Sequence, residues 1–128
     1  MGWIIVSVTI GNALDLSKSF SCDAVVDTDV SLMVLPTAWK DRLGTLESTS
    51  IIELGTGIRR RIKGETCGPV QIQIEGFRPI NTEVAFVDVE PDLGEFQPLL
   101  GHIVLAQSQA HVDVLGHRLV PITYMDLK

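Results

Sequence analysis

The sequence has no long apolar run. Nothing in its 128 residues approaches the ~20 that a membrane-spanning helix requires, so no membrane partner is expected. Positive charge is scarce: ten Lys and Arg stand against sixteen Asp and Glu, for a formal charge of −6 and a pI near 4.9. Binding nucleic acid by phosphate neutralisation needs the opposite balance, so no nucleic-acid partner is expected either. Cysteine is limited to Cys22 and Cys67, with no CxxC spacing, which excludes a framework of several bridges. Two idle thiols in a reducing cytoplasm is the expectation, since a bridge would require a Cα separation that sequence alone does not fix. A basic leader and a small-residue cleavage site are missing from Met1-Gly2-Trp3-Ile4-Ile5-Val6, so no signal peptide is expected. Val6 stands where a myristoylation motif needs Ser or Thr. The phosphate-cradling patterns GxxxxGK[ST] and GxGxxG are absent. So are repeats, low-complexity tracts and linkers, and residues 1–128 read as a single domain.

What is present is the composition of an ordered domain, with 45% hydrophobic and 20% charged residues. Eleven glycines and six prolines interrupt the chain at short intervals, which favours short strands over long helices. Residues 3–10 are rich in β-branched side chains and read as a strand closed by Gly11-Asn12. Residues 20–26 read as a second strand and 32–35 as a third, stopped by Pro36. Pro36 at a first helical position, followed by Ala38, Trp39 and Leu43 before Gly44, predicts a short helix over 36–43. Strands at 49–54 and 58–63 flank Gly55-Thr56-Gly57, a hairpin signal. Val70, Ile72 and Ile74 alternate with Gln71, Gln73 and Glu75, giving one buried and one wet face. A strand at 84–89, an acidic loop at 88–95, a helix over 102–108 and a hairpin turning at Leu115-Gly116-His117 complete an all-β barrel or sandwich.

Two clusters invite sharper readings. Arg59, Arg60, Arg61 and Lys63 form the basic cluster, but alternation sends Arg59 and Arg61 one way and Arg60 the other, as on a solvated strand. His102, His111 and His117 with Asp113 offer zinc-type ligands, yet their spacing matches no compact ligand pair, and no metal is expected.

Asp27-Thr28 is different. A carboxylate directly after the apolar strand Ala24-Val25-Val26 is costly unless hydrogen-bonded or functional. It is followed by Ser31-Leu32-Met33-Val34-Leu35-Pro36, the glycine hairpin, and Pro98-Leu99-Leu100-Gly101 ahead of a helix. In that order and spacing these segments resemble the retropepsin-like aspartic proteases, most closely the bacterial single-domain members, over essentially the whole chain. The resemblance implies an all-β fold, a closed barrel of the single-lobed acid-protease type with one or two short helices. It implies an endopeptidase that uses water as nucleophile and needs no cofactor. Asp27 would be the catalytic aspartate and Thr28 the hydroxyl bracing the two active-site loops. Asp29 and the flap residues Gly55, Thr56 and Gly57 would meet a peptide or protein substrate. Because the chemistry needs two carboxylates sharing one proton and each chain supplies one such motif, the resemblance also implies a homodimer.

The family pattern is Asp-Thr-Gly or Asp-Ser-Gly, and Asp29 occupies the glycine position. Its side chain adds bulk where substrate approaches, and a second carboxylate per chain near a two-fold axis raises carboxyl pKa values. Two outcomes follow: activity confined to acidic pH, or a protease fold that grips extended peptides without turnover.

Overall fold

The computed structural model describes residues 3–55, 61–88 and 97–122, and side chains at all of these but 54, 55, 61 and 62. The described chain runs β1 (Ile5–Asn12), β2 (Asp15–Val26), β3 (Met33–Pro36), a 3₁₀ helix (Thr37–Leu43), β4 (Glu47–Gly55), β5 (Arg61–Ile74), β6 (Ile80–Val87), β7 (Leu99–Leu100), α1 (His102–Gln107), β8 (Ala110–Asp113) and β9 (Arg118–Pro121). Seven strands form one sheet in the order β1-β2-β7-β3-β6-β5-β4, and a further β1–β5 pairing closes six of them into a ring. β4 hangs outside the ring on β5, and β8 and β9 make a separate hairpin.

The ring closes because β5 is long and changes partner along its length. Gly64–Cys67 lie between β4 and β6, whereas Val70–Ile72 lie between β1 and β6. The register shifts between Cys67 and Val70, re-aiming the strand as bulges do. Past that shift the expected alternation holds: Val70, Ile72 and Ile74 are fully buried while Gln73 is exposed. Each such side chain removed from water stabilises the fold by about 1.5–3 kcal/mol. They join Val8, Ile10, Met33, Leu35, Phe86 and Leu100 in the main core inside the ring.

Several boundaries differ from the sequence expectation for identifiable reasons. The strand expected at 20–26 starts at Asp15, because residues 15–19 are exposed on both faces and carry no period-2 signal. Of the segment expected as a strand at 58–63, the described part from Arg61 is continuous with the strand expected at 70–74, one strand running through Gly68-Pro69, while residues 58–60 lie outside the described residues. Gly11 and Asn12 belong to β1 instead of closing it. Buried Asn12 is held by its own side chain: Nδ2 donates to the carbonyls of Leu43 and Thr45, both at 2.9 Å, and Oδ1 accepts from the Leu14 amide. The first helix is 3₁₀, and Pro36 is extended (φ −71°, ψ 141°) as the last residue of β3, outside the helix. Its Trp39 packs edge-on to Phe20 with ring centroids 5.7 Å apart, and the Arg42 guanidinium covers both rings. The second helix is α-helical, and Ser108 caps its end. The turn of the last hairpin, expected at Leu115-Gly116-His117, begins one residue earlier, at Val114. No helix among the described residues is long and apolar enough to cross a membrane.

Candidate active site

Three backbones converge where β2 ends. β7 is inserted between β2 and β3, parallel to the first (Val25↔Leu99, Val26↔Leu100) and antiparallel to the second (Val34↔Leu99). The loop from residue 27 to 32 therefore has to pass over the end of β7. It is pinned there: the Val25 amide donates to the Pro98 carbonyl at 2.8 Å and the Asp27 amide to the Leu100 carbonyl at 3.0 Å. The opening amides of α1, which helix geometry leaves without intrahelical acceptors, donate back to the loop. His102 N–H reaches the Val30 carbonyl at 2.9 Å and Ile103 N–H the Ser31 carbonyl at 3.0 Å. Gly101 makes this approach possible, since a Cβ there would overlap the Ser31 and Leu32 carbonyl groups.

On this support Asp27 is half-buried, and its Oδ1 accepts a hydrogen bond from the Asp29 amide at 3.0 Å. Thr28 and Asp29 are exposed. Among the described non-glycine residues, positive φ occurs at Gln109 and His117, not at Asp29. An aspartate in the glycine position thus carries no left-handed strain and keeps the amide that holds Asp27. The two carboxylates open on different spaces. Asp27 and Thr28 line a cavity of about 500 Å³ with Trp3, Val25, Val26 and Leu99. Asp29 lines another, of about 410 Å³, between the loop and the β4–β5 hairpin. Its apolar surface comes from Val30, Leu32, Val34, Ile52 and Ala85, side chains that pack around a small second core with Val87.

The β4–β5 hairpin forms the far wall. Gly55 pairs with Arg61, so it closes β4 as its last residue and does not sit within the turn. Thr56 and Gly57, expected at the tip, lie outside the described residues, as do Arg59 and Arg60 of the basic cluster. At the base of the hairpin Thr49 is bulged out of register. Its hydroxyl donates to the Thr66 carbonyl at 3.0 Å, and the Ser50 hydroxyl meets the Thr66 hydroxyl at 2.8 Å. Thr66 is buried and faces the cavity. Outside the cavity Lys40 pairs with Glu65, which raises the lysine pKa and lowers that of the carboxylate.

The remaining candidates are occupied elsewhere. Cys22 and Cys67 are both free thiols, and burial pushes Cys22 up to about 11. Among the described residues no three His, Cys, Asp or Glu side chains gather in a group able to hold a metal ion. Asp113 accepts from the Gly116 amide at 3.0 Å, and His117 Nε2–H donates to the Trp3 carbonyl at 3.1 Å. Asp27, Thr28 and Asp29 lie together on the loop that the Leu99-Leu100-Gly101 segment supports. Trp3, just ahead of β1, and Ile52, Thr66 and Ala85, on β4, β5 and β6, also line the two cavities, and the sequence does not single them out as site residues. The one available signal was the unbroken apolar run Val84-Ala85-Phe86-Val87, which marks a strand buried on both faces.

No family model matches the chain, and no curated protein does. Among solved structures, the EIAV protease complexed with the inhibitor HBY-793 is similar over 82% of this chain and 86% of that one, with a TM-score of 0.59 and 22% sequence identity. The likeness is one of fold: an all-β, single-lobed acid-protease barrel with two short helical segments.

Proposed function

We propose that this acid-protease barrel is a single-domain aspartic-type endopeptidase that acts as a homodimer in the cytoplasm without metal or cofactor. The observation that carries the reading is the Asp27 carboxylate. It sits at the end of an apolar strand, oriented by the Asp29 amide at 3.0 Å and open to a cavity of about 500 Å³. That hydrogen bond satisfies one carboxylate oxygen and fixes its direction, which is the preorganisation that a catalytic carboxylate needs.

One carboxylate per chain is half of what the chemistry needs. Exposed apolar side chains flank it: Trp3 is 71% exposed and Ile5, paired with Val25, is 56% exposed. Such surface beside an incomplete site favours a two-fold partner that buries it and supplies the second Asp27. Thr28, exposed next to Asp27, would brace the two loops. In the dimer the ionised Asp27 takes a proton from water as the water oxygen bonds to the substrate carbonyl carbon. The protonated Asp27 gives its proton to the carbonyl oxygen. The resulting diol then collapses: the first carboxyl passes its proton to the amide nitrogen, the C–N bond breaks, and the diol returns a proton to the second carboxylate. One proton is shared throughout, as the pairing of like charges demands. Gly55, Thr56 and Gly57 would cover the substrate and Asp29 would touch it.

Digestion of an unfolded protein from acidic to neutral pH tests this. Asp27→Asn should reduce turnover by about 10²–10⁴-fold or more. Sedimentation should show a dimer under the conditions where the wild type cleaves. Equal turnover by the mutant would remove Asp27 from the reaction. The second reading, peptide binding without turnover, is favoured by Asp29 standing where the family has glycine. Peptide capture by both proteins with cleavage by neither would establish it.

A further inference from the structure

We infer that Asp29 is a specificity determinant, and that the cleft beside it takes extended peptides carrying a lysine or arginine next to an aliphatic side chain. This rests on the peptide-binding half of the proposal above, not on turnover. The cleft holds about 410 Å³ between the active-site loop and the β4–β5 hairpin. Its apolar surface is built from Val30, Leu32, Val34, Ile52 and Ala85, aliphatic side chains that suit an aliphatic group. Glu53 on its wall lies directly across from Lys63 on the neighbouring strand, so the charge the cleft offers a ligand is that of Asp29, and no cationic side chain among the described residues lines it.

Asp29 is suited to the task by how it is held. Its amide is committed to Asp27 Oδ1, which fixes the backbone, while its side chain is exposed and lines the cleft. A glycine here would offer no charge, so the departure from the family pattern adds a contact without removing the amide. In an extended peptide, successive side chains point to opposite sides. An aliphatic group on the apolar floor therefore leaves its neighbours near the walls, where a cation meets the exposed Asp29 carboxylate. The net charge of −6 favours the approach of cationic peptides as well.

The test uses peptides identical except for lysine, arginine, norleucine or glutamate beside a valine, with binding read by fluorescence anisotropy. The host protein is the Asp27→Asn variant, so that binding is scored without cleavage. Lysine and arginine peptides should bind about three- to tenfold more tightly than the norleucine peptide at low ionic strength, and the margin should shrink with salt. Adding Asp29→Asn, an exposed and nearly isosteric change, should bring the preference below about twofold without weakening the norleucine peptide. Equal affinity for all four, tighter binding of the glutamate peptide, no binding of any, or a cation preference that survives Asp29→Asn would each overturn the inference. Cation preference without cleavage by the wild type would overturn the peptidase reading alone. Cleavage with no cation preference would overturn this one alone.

Discussion

At Gly101 the backbone leading into α1 runs against the carbonyls of Ser31 and Leu32, where neither chain has freedom to retreat. Both are held by the hydrogen bonds that join α1 to the active-site loop. Gly101→Ala should therefore destabilise the fold by about 2 kcal/mol or more, read as a lower urea midpoint, because overlap with fixed backbone cannot be relieved by rotating a side chain. An unchanged midpoint would mean that the loop can move away from α1. The same scale shows what the sequence could and could not disclose. Asp27 was legible because a carboxylate ending Ala24-Val25-Val26 conflicts with its surroundings. That Asp29 and Asp27 open on separate cavities was not legible. The two lie two residues apart, and their directions depend on a loop shaped by β7, more than seventy residues downstream.

At the scale of elements, two of the hairpins, β1–β2 and β8–β9, lean on a carboxylate. In the β8–β9 turn the Gly116 amide first, and then Arg118, hold Asp113 below its usual range. In the β1–β2 hairpin the Ser17 hydroxyl and amide do the same for Asp15. A carboxyl whose folded pKa is depressed contributes stability above its unfolded value and loses it as pH falls through the folded value. Both turns should thus loosen in acid, below the ordinary carboxylate range, while the apolar ring persists. NMR titration of the Gly116 and Ser17 amides would show it, and Asp113→Asn should make the Gly116 shift insensitive to pH. A Gly116 amide that ignores pH in the wild type would contradict the assignment. Element legibility follows the same physics of local signals. Val70, Ile72 and Ile74 announce their strand by alternation, and residues 102–107 their helix. The continuity of β5 is hidden because Gly68-Pro69 reads locally as a breaker. The first half of β2 is hidden because it buries nothing.

For the whole molecule, the closed ring and the hairpin it carries are mechanically unlike. Gly64 pairs with Ile52 on one side and Val87 on the other, the Lys63 carbonyl still accepts from the Asp88 amide at 3.0 Å, and among the described residues Ile62 and Arg61 pair only with β4. A Cβ at Gly64 would overlap the Phe86 carbonyl, so three backbones are packed together at that rung. The hairpin is in effect a cantilever clamped at Gly64. A beam transmits load to its root, so whatever presses from the cleft on the described arm of the hairpin is felt first at Gly64, Thr66 and the Phe86 backbone. Amide exchange should accordingly be slow at Gly64, Thr66, Ile72 and Ile74 and rise abruptly at Ile62 and outward, a step and not a gradient. A smooth gradient along β5 would mean the clamp is soft. If the step is there, loading the cleft with a peptide should stiffen the arm outside the clamp and leave the ring inside it unchanged.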